Sequence, residues 1–290
     1  MFRSPVFRRP SLARRVLACA AAVCALTGAA PAAHPGSGPG VVIRPATAVR
    51  YVALGDSEAS APGVPVEVDP LCRRSDHDYP SLVAARLHPA SFSDVTCSGA
   101  TTADLARRQF PALRPATTLV TLTVGANDIG FGDAIARCTA LGVLHPSGAP
   151  CRTYYGTVLD RRIARTAPKV ADALRTVHRL APRARVLVVG YLDLVPDDHR
   201  GCRPRELFAD GDLGWLDRTE NALNTMLART ARGGGAVFVD DHPASATHDV
   251  CRPTGTRWTE AILPTRPAAP FHPNAAGEAA MARQVLAAVR

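Results

Sequence analysis

Lysine is nearly missing from this chain: Lys169 is the one lysine among 34 basic residues. Arginine and lysine carry the same charge, so the skew reads as coding bias, not as a binding surface. Aromatic residues make up 5% of the chain. No stripe of clustered arginine with interleaved aromatics occurs, which disfavours nucleic acid as a partner. C-x-x-C spacing and paired histidines are also lacking, so neither a zinc site nor any other metal is expected. No apolar run reaches the roughly 20 residues that a membrane-spanning helix needs, and no internal repeat is visible. What remains is the composition of a globular protein, 47% apolar and 20% charged, long enough for one sizeable core.

The amino-terminal stretch differs from the rest. Arg3, Arg8, Arg9, Arg14 and Arg15 precede an Ala-rich run from Val16 to about Ala30, and Ala30-Pro31-Ala32 offers an A-x-A cleavage site. This is the layout of a secretory signal peptide over residues 1–32, with Sec and twin-Arg export both open. Its loss takes the balance from 34 basic against 25 acidic residues to 29 against 25, so much of the basic character belongs to the leader. Residues 33–46 are rich in Pro and Gly and read as a linker, leaving a catalytic domain over 47–290. Six cysteines remain: Cys72, Cys97, Cys138, Cys151, Cys202 and Cys251. Behind an export signal they imply disulfides. Of fifteen connectivities, the sequential one, 72–97, 138–151 and 202–251, is the expectation.

Short β-type runs then alternate with helical stretches. Strands are expected at 50–54, 92–97, 118–124, 185–190 and 236–240, and helices at 79–87, 102–109, 158–180, 212–231 and 274–289. Ala276, Ala279, Ala280, Val285 and Leu286 form the expected buried face of the last helix. Such alternation argues a parallel sheet covered on both faces, with its site beyond the carboxyl ends of the strands. Gly55-Asp56-Ser57 lies at one such end and Gly125-Ala126-Asn127-Asp128 at another. Asp56 is expected to brace its turn by accepting backbone N–H bonds, and Asp128 to be structural.

Four blocks stand in order: Gly55-Asp56-Ser57, Cys97-Ser98-Gly99-Ala100, Gly125-Ala126-Asn127-Asp128 and Phe271-His272-Pro273-Asn274. Together they resemble the SGNH (GDSL) hydrolases, and the six-cysteine layout is similar to the secreted actinobacterial lipase/esterase branch of that family. The resemblance implies a flavodoxin-like three-layer α/β/α sandwich around a central, mostly parallel five-stranded sheet. It also implies a monomeric, secreted, cofactor-free enzyme that cleaves carboxylic esters, with a small-molecule or lipid ester as substrate and at most transient contact with a lipid surface. The residue chemistry agrees with this. Ser57 supplies a hydroxyl nucleophile and His272 a base that later serves as acid. The Ser57 N–H, the Gly99 N–H and the Asn127 amide are three donors for a developing oxyanion. Phospholipid hydrolysis and removal of acetyl groups from sugars remain open on the same scaffold, as does a non-catalytic secreted binding module.

Two positions depart from the family pattern. Many members carry Asp three residues before the histidine, where this chain has Ala269. The expectation is that the Ala269 carbonyl orients His272, with Asp240, Asp241 or Asp249 as competing surrogates. Glu58 stands where relatives commonly have Tyr. It either points outwards without effect, or faces the site and raises the His272 pKa or disfavours anionic substrates. The cysteine-bridged loops 138–151 and 202–251 are expected to shape the acyl site.

Overall fold

The computed structural model describes residues 48–196 and 202–290. The expected leader and linker lie outside them. Among the described residues the strands are β1 (Arg50–Gly55), β2 (Glu67–Asp69), β3 (Arg74–Ser75), β4 (Ser91–Asp94), β5 (Leu119–Thr123), β6 (Arg185–Val189) and β7 (Val237–Val239). Helices are α1 (Ser57–Ser60), α2 (Tyr79–Leu87), α3 (Thr102–Asp104), α4 (Ala126–Ile129), α5 (Phe131–Leu144), α6 (Pro150–Tyr155), α7 (Val158–Leu180), α8 (Leu213–Gly233), α9 (His242–Ser245) and α10 (Ala275–Val289). A π-helical turn, Leu105–Gln109, continues α3.

Five strands pair in parallel in the order β4-β1-β5-β6-β7. Counting only these five along the chain, the order is 2-1-3-4-5, the flavodoxin-like winding whose switch point falls between β1 and β5. The register Tyr51↔Leu119 to Gly55↔Thr123 brings those two strands to the same edge together. Alternation along the strands divides the interior. Val52, Leu54, Val120, Leu122, Val186 and Val188 face a core shared with Ile135 of α5, Val170 and Leu174 of α7, and Leu223 and Leu227 of α8. Tyr51, Ala53, Leu119, Leu187 and Val189 face the opposite core, with Val83 of α2 and Met281 and Val285 of α10. Each fully buried aliphatic side chain contributes about 1.5–3 kcal/mol, so both faces hold the sheet. The three layers are those the sequence leads one to expect.

The disulfides are Cys72–Cys97, Cys138–Cys151 and Cys202–Cys251, the sequential pairing. Two expectations are corrected. Residues 138–151 are not a loop: Cys138 lies in α5 and Cys151 in α6, so their bridge clamps two helices. The 202–251 bridge encloses α8 and β7, where a helix at 212–231 and a strand at 236–240 are expected. The buried face of α10 is also rotated from the expected one, being Gly277, Glu278, Ala280, Met281, Ala282 and Val285. Ala276, Ala279 and Leu286 are partly exposed. Glu278 turns inward because its Oε2 accepts the Tyr79 N–H at 2.7 Å, a demand that the apolar period alone does not reveal.

Candidate active site

β1 stays buried to Gly55, and the chain then turns at Asp56 into the four-residue α1, which Ser57 begins. Several contacts fix that turn. The Asp56 N–H donates to the Thr123 carbonyl at 3.0 Å. Asp56 Oδ1 caps α1 by accepting the Glu58 N–H at 3.1 Å. The Gln109 side chain binds Gly55 in both directions, accepting its N–H and donating to its carbonyl, each at 2.8 Å. A Cβ at Gly55 would lie 2.9 Å from both Ala59 Cβ and the Thr123 carbonyl oxygen, so only glycine lets β1 and β5 close up here. The outcome is a half-buried Ser57 at the carboxyl end of β1.

Gly99 sits in the turn after β4 with φ +81°, a conformation costly for residues with a Cβ. No heavy atom lies within 4 Å of where its Cβ would be. The turn is pinned by the Cys97 N–H on the Gly55 carbonyl and the Ser98 N–H on the Cys72 carbonyl, both 3.0 Å. Ser98 and Ser60 hydroxyls meet at 3.0 Å. Asn127, in α4 after β5, donates one Nδ2 hydrogen to the Ala100 carbonyl at 3.0 Å. The second amide hydrogen is then left for another acceptor. Asp128 accepts both the N–H and the hydroxyl of Thr102, at 2.8 and 2.6 Å. Its role is to tie α4 to α3, as expected.

His272 lies before α10. Its backbone is braced by Glu260, whose N–H donates to the His272 carbonyl at 3.0 Å and whose own carbonyl accepts the Phe271 N–H at 2.9 Å. Glu260 is held by a buried ion pair with Arg257 at 2.6 Å. The ring corrects the sequence expectation by one residue. Nδ1 lies 2.7 Å from the Pro270 carbonyl oxygen, while the Ala269 carbonyl accepts the His272 backbone N–H at 3.2 Å. With Phe271 at φ 60°, the chain curls so that the carbonyl two residues back faces the imidazole. The surrogate acids are occupied elsewhere: Asp249 with Arg252 and the Cys251 N–H, and Asp240 with the His242 N–H. Asp241 is buried away from the cavity lining. Burial pushes the His272 pKa below its ordinary 6.5, with the Arg73 charge adding to the effect.

One cavity of about 350 Å³ is lined by Ser57, Gly99, Asn127 and His272 together. No hydrogen bond joins the Ser57 and His272 side chains among the described residues. Apolar walls come from Phe131, Ile135, Leu192 and Leu194. Glu58 also faces this cavity, so its outward placement is corrected. Its Oε1 is 3.4 Å from the Leu192 N–H that donates to it. Burial, with the neighbouring Asp56, pushes its pKa up to about 8, so at neutral pH the carboxyl is protonated. A neutral carboxyl cannot raise the pKa of His272, which is in fact depressed.

These four residues come from three strand ends and the approach to the last helix. Residues 53–280 match the model of the GDSL-like lipase/acylhydrolase family. The chain belongs to this family. It is a GDSL-type carboxylic ester hydrolase, similar to Lipase 2 of Streptomyces coelicolor at 40% identity over 250 residues, covering 81% of this chain and 84% of that one. Among solved structures it resembles phospholipase A1 from Streptomyces albidoflavus NA297, with TM-score 0.73, 30% identity, and coverage of 83% of this chain and 98% of that one. An extracellular lipase from Streptomyces rimosus matches with TM-score 0.73 and 26% identity, over 84% of this chain and all of that one.

Seen as a GDSL hydrolase, the chain has three supports that its motifs do not name. Tyr191, at the end of β6, donates to Asp56 Oδ2 and accepts the Ala126 N–H at 3.0 Å. Asn224 of α8 holds the Tyr191 backbone through both its N–H and its carbonyl. Gln109 completes the set. Tyr191 had a signal, since it follows the RVLVV strand at the edge where sites form; Gln109 and Asn224 lie on helical turns and had none. As for metals, Asp193, Asp217 and His242 bring ligand atoms within 4.8 Å of one another. Asp193 and Asp217 have further partners of their own, and the trio does not line the cavity.

Proposed function

We propose that the protein is a secreted, monomeric serine esterase or lipase working through a Ser57–His272 dyad. The observation that carries this reading is the shared cavity of Ser57, Gly99, Asn127 and His272. His272 accepts the Ser57 proton as Oγ attacks the acyl carbonyl carbon. The ester C–O bond then breaks, and His272 returns the proton to the leaving alcohol. Water, deprotonated by His272, attacks the acyl carbonyl carbon; the bond to Ser57 Oγ breaks, Oγ takes the proton back from His272, and the acid is released. The Ser57 N–H, the Gly99 N–H and the free Asn127 amide hydrogen stabilise the oxyanion in both halves; losing one such donor costs about 2.7–4 kcal/mol of transition-state stabilisation. The Pro270 carbonyl accepts from Nδ1–H and holds the tautomer that leaves Nε2 free as base. Such a base–nucleophile contact commonly tightens only as substrate aligns the two groups.

The apolar walls favour an acyl chain over a sugar acetate as the group seated in the cavity. Export is supported by the basic, apolar and A-x-A order of residues 1–32 and by three disulfides. The test is a serine-reactive fluorophosphonate probe together with p-nitrophenyl esters of rising chain length. Labelling at Ser57, abolished in Ser57→Ala along with turnover, is expected. Unlabelled Ser57 with persisting turnover refutes the dyad, and absence of both labelling and turnover favours the binding module.

A further inference from the structure

Arg73 stands out among the residues around the cavity. It belongs to the turn between β2 and β3, lines the cavity and is exposed. Its backbone has φ 51°. The preceding Cys72 is bridged to Cys97 and accepts the Ser98 N–H, which ties Arg73 to the same turn that presents Gly99. Among the described residues Arg73 has no ion pair and no hydrogen bond. Arg74, next to it, is committed to Asp69 at 3.0 Å and lies 3.9 Å from Asp94. The two acids that line the cavity, Glu58 and Glu220, are both driven towards the neutral form by burial. Arg73 is therefore the fixed charge of the cavity at neutral pH. That charge is felt at His272, the group that protonates the departing alcohol.

We propose that Arg73 forms a subsite for an anionic group, a phosphate or a carboxylate, carried by the alcohol part of the ester substrate. This rests on the ester-hydrolysis reading above and goes beyond it by naming the charge of the leaving group. A guanidinium presents a planar fork of donors that matches either oxyanion in two-point contact. The apolar walls take the acyl chain, so the substrate is an amphiphile with a negative charge beside the scissile bond.

The experiment compares kcat/KM at pH 7.5 for two matched pairs: O-octanoyl lactate against ethyl octanoate, and dioctanoyl glycerophosphate against dioctanoylglycerol, all below micelle formation. In the wild type the charged member is preferred. Arg73→Gln is expected to lower the charged-to-neutral ratio at least about tenfold in one pair or both, and Arg73→Glu to lower it further. Loss confined to the glycerophosphate pair identifies phosphate as the anion; loss confined to the lactate pair identifies carboxylate. Ratios that stay within about twofold in both pairs overturn the proposal, because a charge-assisted contact is worth more than that. If the variants do not fold, the wild-type ratio between about 0.05 and 0.5 M NaCl decides. A several-fold fall reflects screening of an exposed guanidinium, and salt independence overturns the proposal. A wild type that hydrolyses the neutral esters with unaltered ratios loses only this subsite. One that hydrolyses no ester and leaves Ser57 unlabelled loses the dyad reading as well.

Discussion

The Tyr191 hydroxyl donates a 2.6 Å hydrogen bond to Asp56 Oδ2 in the buried interior, from 135 residues away in sequence. The same hydroxyl accepts the Ala126 N–H at 3.0 Å. One phenol thereby sets the turn that carries Ser57 against the turn that carries Asn127. Tyr191→Phe deprives a buried acid of its donor, which costs about 1–3 kcal/mol, and it frees both turns to shift. We expect a lower Tm and a kcat reduced about 10–100-fold with KM changed far less, since misplacement of about 1 Å costs that order in rate. Wild-type kcat and Tm in this variant remove the positioning role.

The imidazole Nδ1 faces the Pro270 carbonyl, so in the proposed dyad a backbone oxygen stands where a triad would have a carboxylate. Where an acid does hold the histidine tautomer, its amide replacement lowers kcat by about 10⁴. Asp240→Asn, Asp241→Asn and Asp249→Asn should each keep kcat/KM within about tenfold of wild type, whereas His272→Ala should lose a factor of about a thousand or more. A thousandfold drop at any of the three acids refutes the backbone-acceptor assignment.

Desolvation lowers the pKa of His272, so in its proposed role as base it stays neutral into mildly acidic solution. The acid limb of the kcat/KM profile should therefore lie below the ordinary 6.5. On the alkaline side, Glu58 ionises at about 8 and places a negative charge next to the developing oxyanion. Activity should fall above that pH in the wild type, and the fall should be lost in Glu58→Gln. Profiles that superimpose for the two proteins dispose of this role for Glu58.

Stability should follow the opposite course from that of a protein rich in paired surface carboxylates. Burial pushes Glu58 from 4.5 up to about 8 and Asp56 from 3.8 up to about 7. Between the unfolded and folded values each binds a proton only when folded, so stability is lost as pH rises through that window. Asp241 and Glu278 are displaced upward as well. The carboxyls displaced downward, Asp76, Asp104 and Glu260, have given their contribution once pH exceeds the ordinary carboxylate range. Thermal unfolding at constant ionic strength should show a higher Tm at pH 5 than at pH 8.5. The reverse order means these carboxyls are ionised in the folded state.

Much of this molecule follows from local pattern. Continuous apolar and β-branched runs at 118–124 and 185–190, and the shorter run at 50–54, define strands buried on both faces, and α2 and α7 have the bounds expected of them. Ser57, Gly99, Asn127 and His272 are marked by short blocks that follow a strand or precede a helix, and in a parallel sheet such ends share an edge. Helices α5 and α6 have no counterpart among the expected elements, because a closely spaced cysteine pair such as Cys138 and Cys151 closes a loop as readily as it clamps two helices.

Other features depend on contacts between distant residues and so have no local signature. The alternation of side chains and the order of turns are set by chemistry along the chain, because steric and solvent preferences act residue by residue. Which carbonyl meets His272, which way Glu58 faces, why Glu278 is buried and how Tyr191 joins two turns depend on distances across the interior. Those distances exist only after the sheet has closed, when each buried polar group must find whichever partner the packing has brought within reach.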